Sequence, residues 1–234
     1  MSLEVMLVIC QIIVLIFAFS VHEASHAYAA YKLGDPTAYM LGRVTLNPIK
    51  HIDPWGSVVM PLLALVYHFP LLGWAKPCPV TIRNFRNAKR DDIITTFAGP
   101  ASNLAMAIIA LILLLVLKHT PGVGHNAVYA AMDLTNPNYR DQVDTTVLPA
   151  MFPFALLLYY GILTNLLLFV FNLIPIPPLD GSRIIRYFLP YKVEQIYEQI
   201  GGYGMILIFF IARPVLAIFL SPVLNAFDFV LNSI

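Results

Sequence analysis

The sequence predicts an all-α membrane protein, a polytopic bundle of about four to six transmembrane helices with a re-entrant hairpin and a small β element. Composition is the first reason. Of 234 residues, 59% are hydrophobic and 12% are charged, and the mean hydropathy is +0.76, whereas soluble domains carry about 25% charged residues. The second reason is a series of apolar runs, most of them long enough to cross a bilayer as a helix. These runs cover residues 3–30, 55–74, 93–117, 148–174 and 205–231.

Length and charge restrict the class of protein further. A chain of this length suits one domain, covering residues 1–234. The formal net charge of +1 argues against nucleic acid as a partner, and the composition makes the lipid bilayer the expected surroundings. Cys10 and Cys78 are the two cysteines, and they predict neither a disulfide framework nor a thiolate metal site. The sequence carries no signal for an oligomeric state.

His22, Glu23 and His26 lie far inside the first apolar run. These ionisable side chains need a functional reason because charged groups are costly inside a bilayer. Histidines at positions i and i+4 lie on one face of a helix and can bind one zinc ion, while the intervening glutamate can act as a base on a metal-bound water. A chance HExxH is improbable in a segment where His and Glu are depleted. The sequence therefore predicts a zinc-hydrolase site in a membrane helix that is retained in the mature protein.

The run 55–74 is interrupted by two prolines and a glycine, and basic residues flank it on both sides. Because Lys and Arg are enriched in cytoplasmic loops, both flanks are expected in the cytoplasm and the run is predicted to be a re-entrant hairpin. The first helix then runs inward, with its HExxH toward the cytoplasmic end. The last run contains Pro214 and Pro222, so it is either one kinked span or two short helices.

Residues 38–48 contain β-branched and aromatic side chains and end in Asn-Pro, which predicts a short strand. Residues 73–80 are a second non-helical stretch and its candidate partner. The strand either pairs within a small local sheet or uses residues 43–46 to accept an extended substrate segment by strand addition.

A catalytic zinc site needs a third protein ligand, with a fourth position for water. Residues 171–183 end an apolar helix with a proline-rich segment and then present Asp180 before a glycine. Irregular backbone at membrane depth is tolerated only where it is buried in protein or lines a wet cavity. Asp180 is therefore the predicted third ligand, and its alternative role is an N-cap for a helix that begins near Ser182. Asp228, in the last apolar run, is the competing carboxylate.

The other ionisable residues have simpler interpretations. Asp53, Asp91 and Asp92 flank helix starts and are expected to act as caps, and Arg183 and Arg186 are expected to be ordinary charges of the inner face. Four histidines outside the HExxH lack a paired spacing and are expected at the membrane interface. They are His51, His68, His119 and His125.

Three asparagines in the apolar runs offer donors for the oxyanion that forms during peptide hydrolysis. They are Asn103, Asn165 and Asn172. Their alternative role is hydrogen bonding between helices, which is common for Asn in membranes. Asn172 is the preferred oxyanion donor because it adjoins the proline-rich segment.

Three separated motifs resemble the site-2 protease family of intramembrane zinc metalloproteases, the M50 group. They are the HExxH at residues 22–26, the Phe-Ala-Gly-Pro-Ala-Ser-Asn at 97–103, and the segment 172–181 that ends in Asp-Gly. No stretch resembles a PDZ domain or a CBS module, so the chain is similar to the minimal bacterial branch of the family.

The resemblance implies that His22, His26 and Asp180 bind one Zn²⁺ per chain and that Glu23 is the catalytic base. It further implies a multi-pass protein of the cell (inner) membrane that cleaves membrane-spanning proteins or peptides and releases a product into the cytoplasm. Two alternatives stay open. A zinc-binding membrane transporter would use Glu23 as a ligand and would show further His or Asp residues across the membrane, and a catalytically idle scaffold would keep the fold alone.

Overall fold

The computed structural model describes residues 3–60, 63, 73–136, 139–145, 147–200 and 204–233. Within these residues the chain is helical and contains no strand. The helices are Leu3–Leu33 (α1), Thr37–Met40 (α2), Ala88–Lys118 (α3), Gly124–Thr135 (α4), Phe152–Asn172 (α5), Asp180–Arg186 (α6), Tyr191–Ile200 (α7) and Gly204–Ser233 (α8). Turns of 3-10 helix lie at Pro48–Lys50, Ile82–Asn84 and Arg140–Gln142, and a π-helical turn lies at Pro54–Val59.

Three of the described helices, α1, α3 and α5, are long and apolar enough to cross a membrane, as judged by length and composition. They pack against one another in all three pairs. Alanines such as Ala107 and Ala155 are fully buried in the shared core beside Leu114 and Leu156, because small residues let membrane helices approach closely. The predicted all-α membrane fold is confirmed with three candidate spans in the described residues, fewer than the predicted range of about four to six.

The segment after α1 is tied to the segment before α3. Gly34 follows α1 with a φ of 111°, a left-handed conformation that glycine adopts without strain. The buried carboxylate of Asp35 then accepts hydrogen bonds from Thr37, from the backbone N–H of Thr81 at 2.7 Å and from the side chain of Asn84 at 2.7 Å. One buried carboxylate thus holds two distant stretches of chain together beneath the ends of the long helices.

The strand predicted over residues 38–48 is wrong, and so is the small β element that depended on it. Residues 37–40 form the helical turn α2 instead. Gly42 then reverses the chain with a φ of 66°. The β-branched and aromatic side chains of this stretch favoured a strand, but the turn residues around them decide the backbone.

Arg43 explains why no ladder forms between residues 43–46 and 73–80. Its buried guanidinium donates hydrogen bonds to the backbone carbonyl oxygens of Lys50, Lys76 and Pro77. Because a side chain satisfies these carbonyl groups, the extended backbone needs no neighbouring strand.

The run 55–74 begins in the π-helical turn, which Asp53 caps by accepting hydrogen bonds from the backbone N–H groups of Trp55 and Gly56. The backbone nitrogen of Trp74 donates to the carbonyl oxygen of Gly56 at 3.2 Å, so the two ends of the run lie side by side. Residues 61, 62 and 64–72 lie outside the described residues, and the re-entrant hairpin stays a prediction.

The last apolar run forms one helix, α8, which continues through Pro214 and Pro222. It packs against α5, where the hydroxyl of Tyr159 donates to Oδ1 of Asp228 at 3.4 Å. Asp228 therefore belongs to the contact between α5 and α8, and it is not part of the described cluster of metal-ligating side chains.

Candidate metal centre

The three predicted metal ligands come together in the structure. His22 and His26 lie one turn apart on α1 and are 5% and 6% exposed, and Asp180 is the first residue of α6. Oδ2 of Asp180 lies 3.1 Å from Nε2 of His22 and 3.3 Å from Nε2 of His26, and the two Nε2 atoms are 3.0 Å apart. Among the described residues, this is the one group of three such side chains with ligand atoms within 4.8 Å of one another.

A hydrogen bond from Nδ1 of His26 orients the ring so that Nε2 faces the centre. Nδ1 of His26 lies 2.8 Å from the backbone carbonyl oxygen of Thr95 on α3. A carbonyl oxygen only accepts, so Nδ1 carries a proton, and in the neutral imidazole Nε2 then presents a lone pair.

For His22 the same conclusion follows through two asparagines. Nδ2 of Asn165 donates to the carbonyl oxygen of Gly161 at 2.8 Å. Oδ1 of Asn165 then accepts from Nδ2 of Asn103 at 2.9 Å, and Oδ1 of Asn103 accepts from Nδ1 of His22 at 2.6 Å. The backbone carbonyl at the end of this chain sets the direction of all three bonds, so Nε2 of His22 also presents a lone pair.

A glycine lets α3 approach both imidazoles. A Cβ at Gly99 would lie 2.6 Å from Nε2 of His22 and closer still to the ring of His26. No side chain fits there without displacing the histidines. The Gly-Pro motif at residues 99–100 therefore has a structural reason, which is the close crossing of α1 and α3.

A second glycine permits the approach of Asp180. A Cβ at Gly181 would lie 2.7 Å from the carbonyl oxygen of Ile174 and 2.5 Å from the carbonyl carbon of Leu173. The N-cap of α6 is Leu179, so the alternative in which Asp180 caps a helix near Ser182 is wrong. Its carboxylate faces the two histidines instead.

Glu23 supplies the remaining group at this centre. Its side chain is half-buried, and Oε2 is shielded from solvent without a hydrogen bond to the described residues. A buried polar atom that lacks a protein partner is costly and is typical of a group that acts on a ligand. Two imidazole nitrogens, one carboxylate oxygen and a nearby free carboxylate are the groups that a catalytic zinc site needs, so these residues fit zinc.

The other predicted residues lie elsewhere. Nδ2 of Asn172 donates to the carbonyl oxygen of Leu168 within α5 at 2.9 Å, and its oxyanion role stays a prediction. His51 is 2% exposed, with Nε2 at 2.8 Å from the carbonyl oxygen of Thr45. It does not belong to the described metal-ligating cluster, and its interfacial position stays a prediction. Burial lowers the pKa of His51 below its usual value.

The outlying histidines divide into two groups. His119 and His125 are exposed, and neither belongs to the described metal-ligating cluster. Their position at the membrane interface stays a prediction. His68 lies outside the described residues.

An apolar groove of about 390 Å³ runs along α1 beside the centre. Residues 44–46 form its opposite wall, and Ala98, next to Gly99, lies at its α3 side. Its lining from α1 comes from five residues that lie around the motif. They are Val21, Ala24, Ser25, Tyr28 and Ala29.

Fold and site together define a class of protein. Two imidazoles and a carboxylate converge between apolar helices, next to a glutamate with an unpaired buried oxygen. Such a donor set with an adjacent carboxylate is typical of a zinc hydrolase, here built into a membrane-helix bundle.

Comparison with known proteins identifies the family. Residues 10–212 match Peptidase family M50, and the chain belongs to this family; no PDZ or CBS domain is matched. The Bacillus subtilis (strain 168) protein YwhC, named as a zinc metalloprotease, is 41% identical over 217 residues, 92% of the chain and 85% of that protein.

Two further relatives carry the same description. Rip2 of Mycobacterium tuberculosis (strain H37Rv) is 25% identical over 209 residues, 89% of the chain and 65% of that protein. Rip2 of Mycolicibacterium smegmatis is 32% identical over 99 residues, 41% of the chain and 36% of that protein. No solved structure matches the chain. The chain is thus a zinc metalloprotease and a multi-pass membrane protein.

Proposed function

We propose that the chain is an intramembrane endopeptidase that cleaves peptide bonds in or near the transmembrane segments of membrane-anchored proteins. His22, His26 and Asp180 hold one zinc ion per chain. The observation that carries this proposal is the convergence of these three side chains, with both Nε2 lone pairs directed inward, between helices apolar enough to cross a membrane.

Glu23 is the proposed general base. The chemistry that zinc supplies when bound is Lewis acidity, which makes a water more acidic and polarises the scissile carbonyl. Glu23 accepts a proton from the attacking water at its buried oxygen and then donates it to the leaving amine. Shielding from solvent supports this role, because proton transfer is then confined to the reacting groups.

Asn103 and Asn165 are proposed to hold His22 in its metal-binding tautomer. Their amides are joined in one chain from His22 to the carbonyl oxygen of Gly161. Metal-binding histidines generally donate their second ring N–H to such a partner, and loss of the partner weakens metal binding. Asn172 remains the candidate donor for the oxyanion.

The substrate must unwind before hydrolysis. A membrane-spanning helix hides its carbonyl groups in its own hydrogen bonds, so helix-weakened segments are the proposed substrates. The apolar groove between α1 and residues 44–46 supports entry of such a segment along α1. Its lining suits apolar side chains, which dominate membrane segments.

The cleavage site is proposed to face the cytoplasm from the cell (inner) membrane. Three segments are assigned to this side: residues 31–54, residues 75–90 and the segment after α5 that contains Arg183, Arg186 and Lys192. They hold eleven of the 14 Lys and Arg residues, in keeping with the enrichment of basic residues in cytoplasmic loops. The product is then released into the cytoplasm.

The rate at which the Glu23→Gln variant cleaves a substrate, compared with the rate of the parent, tests the proposal. The purified parent and the variant are incubated in detergent with single-span substrates, with and without a chelator. Loss of the base should lower the cleavage rate by about 100- to 10,000-fold while the bound zinc is retained. Glu198→Gln on α7, an exposed glutamate of the same size, is the matched control and should cleave like the parent.

Parental activity in Glu23→Gln would contradict the proposal. A zinc transporter, the alternative function, would instead lose zinc with Glu23→Gln and would move zinc across proteoliposomes without cleaving any substrate.

A further inference from the structure

A buried carboxylate outside the metal centre, that of Asp92, accepts hydrogen bonds from the carboxyl-terminal end of α6. Asp92, near the start of α3, is fully buried. Its Oδ1 accepts a hydrogen bond from Nη2 of Arg183 at 2.6 Å, and its Oδ2 accepts from the hydroxyl of Tyr187 at 2.9 Å. Nη2 of Arg186 lies 3.4 Å from the same Oδ2. All three donors come from α6 or the residue that follows it.

Asp91 shows that this pattern is not a general property of the start of α3. It is equally buried, but its carboxylate accepts from the backbone N–H of Asn87 at 2.8 Å and from Nε of Arg90 at 3.0 Å. Both partners belong to the start of α3. Asp91 therefore caps its own helix, whereas Asp92 binds a different one, contrary to the expectation that both are caps.

The helix that Asp92 holds is the one that presents Asp180. Arg183 follows Asp180 by three residues, close to one helical turn. α6 has only seven residues, too few to be stable without tertiary contacts, and it packs against α3. Lys89 makes a further contact between α3 and the end of α6, since its Nζ donates a hydrogen bond to the carbonyl oxygen of Tyr187 at 2.9 Å.

We propose that Asp92 is a positioning residue for the third metal ligand: through Arg183, Arg186 and Tyr187 it sets where α6 places the Asp180 carboxylate against the two histidines. The inference rests on the proposed assignment of Asp180 as a zinc ligand. A buried carboxylate that accepts three hydrogen bonds fixes the position of its donors more narrowly than apolar packing does, because loss of a partner leaves a buried polar atom unsatisfied.

Zinc affinity of the full chain in detergent tests this inference. The Kd is measured by competition with a chromogenic chelator for the parent, Asp92→Asn and Asp91→Asn. Groups that hydrogen-bond a metal ligand directly contribute about 10- to 100-fold in affinity. Asp92 acts one step further away, through α6, so we expect Asp92→Asn to raise the Kd by about 10-fold, the lower end of that range. Asp91→Asn, which removes a neighbouring buried charge, should lower the unfolding temperature but leave the zinc Kd within about 2-fold of the parent.

Two further variants keep the test decisive if Asp92→Asn fails to fold. Arg183→Gln removes one partner whose side chain is 33% exposed, and it should raise the Kd in the same direction by a smaller factor. Asp92→Glu keeps the carboxylate and should recover part of the affinity lost in Asp92→Asn.

Parental zinc affinity in Asp92→Asn or Arg183→Gln would overturn the inference while leaving the proposed function intact. An equal rise of the Kd in Asp91→Asn would also overturn it, because the effect would then reflect general loosening of α3. A parent protein that binds no zinc would instead overturn the proposed function, and this inference with it.

Discussion

Gly99 lies on α3 where this helix crosses the two histidines of the metal centre, and Gly99→Ala would disturb that contact. The added Cβ would lie 2.6 Å from Nε2 of His22 and nearer still to His26. Carbon and nitrogen atoms in ordinary contact are separated by about 3.5 Å. The imidazoles or α3 must therefore move by about 1 Å to accommodate one methyl group.

A displacement of this size has a large effect on catalysis. Misplacement by about 1 Å costs on the order of 100-fold in rate, so kcat/KM should fall by about 100-fold or more, and the zinc Kd should rise. Helix propensity alone would favour the variant, since Ala is more stable than Gly in a helix interior by about 1 kcal/mol. Any loss therefore comes from the contact with the histidines.

Gly161→Ala is the matched control. It places the same methyl group on α5, where the nearest atom would be Cβ of Ala110 at an ordinary contact distance of 3.5 Å. The substitution keeps the backbone carbonyl oxygen of residue 161, which accepts the hydrogen bond from Asn165. We expect parental kcat/KM on a single-span substrate and parental zinc affinity in chelator competition. If Gly99→Ala also kept both values, the crossing of α1 and α3 at the centre would be wrong.

Three further outcomes follow from the structure. Asn165→Leu should raise the zinc Kd by about 10- to 100-fold in the same chelator assay, because Asn103 and His22 lose the anchor of their hydrogen-bond chain; an unchanged Kd would refute the tautomer assignment. Burial opposes ionisation of Asp35, but hydrogen bonds from Thr37, Asn84 and Thr81 hold its pKa below the usual value. Its stabilisation is therefore present above the unfolded pKa of about 3.9 and is lost as the pH falls through the lower folded pKa. Asp35→Asn should therefore destabilise the chain by about 2 kcal/mol at neutral pH, and a pH series of unfolding temperatures should show the difference closing below about pH 4; a constant difference would argue against this role. A photo-crosslinking residue at Leu46, which lines the groove, should capture a single-span substrate in the Glu23→Gln background. The same residue at Met40, which is exposed at the end of α2, should not capture it. Equal capture at both positions would place substrate entry elsewhere.

Much of the metal centre could be predicted because its signals are local. The spacing of His22 and His26 follows from the helix repeat alone, and Asp180 stands out because prolines and a glycine surround it. The groups that accept hydrogen bonds from the Nδ1 atoms of the two histidines depend on how α1, α3 and α5 cross. No short segment of sequence encodes that crossing. The carbonyl oxygen of Thr95 is such a partner, since it has no side-chain signature at all.

Two of the errors come from side-chain hydrogen bonds that replace an expected backbone or capping interaction. Arg43 donates to the carbonyl oxygens of Lys50, Lys76 and Pro77, so the candidate partner segment 73–80 bonds to a side chain and does not pair with residues 43–46. The position of Asp92 at a helix start predicts a cap, but Arg183 and Tyr187, about 90 residues away, donate hydrogen bonds to its carboxylate. Propensity and capping rules describe neighbours in sequence and are overridden where a long side chain reaches a buried group.

The central claim is that His22, His26 and Asp180 bind the zinc ion, and X-ray absorption at the zinc edge of the purified chain tests it most directly. Nitrogen and oxygen ligands at about 2.0 to 2.2 Å, with an imidazole signature and no sulfur, are the predicted result. The signature should disappear with the bound zinc in Asp180→Ala and persist in Asp228→Ala. A sulfur ligand at about 2.3 Å, or a spectrum unchanged by Asp180→Ala, would contradict the account.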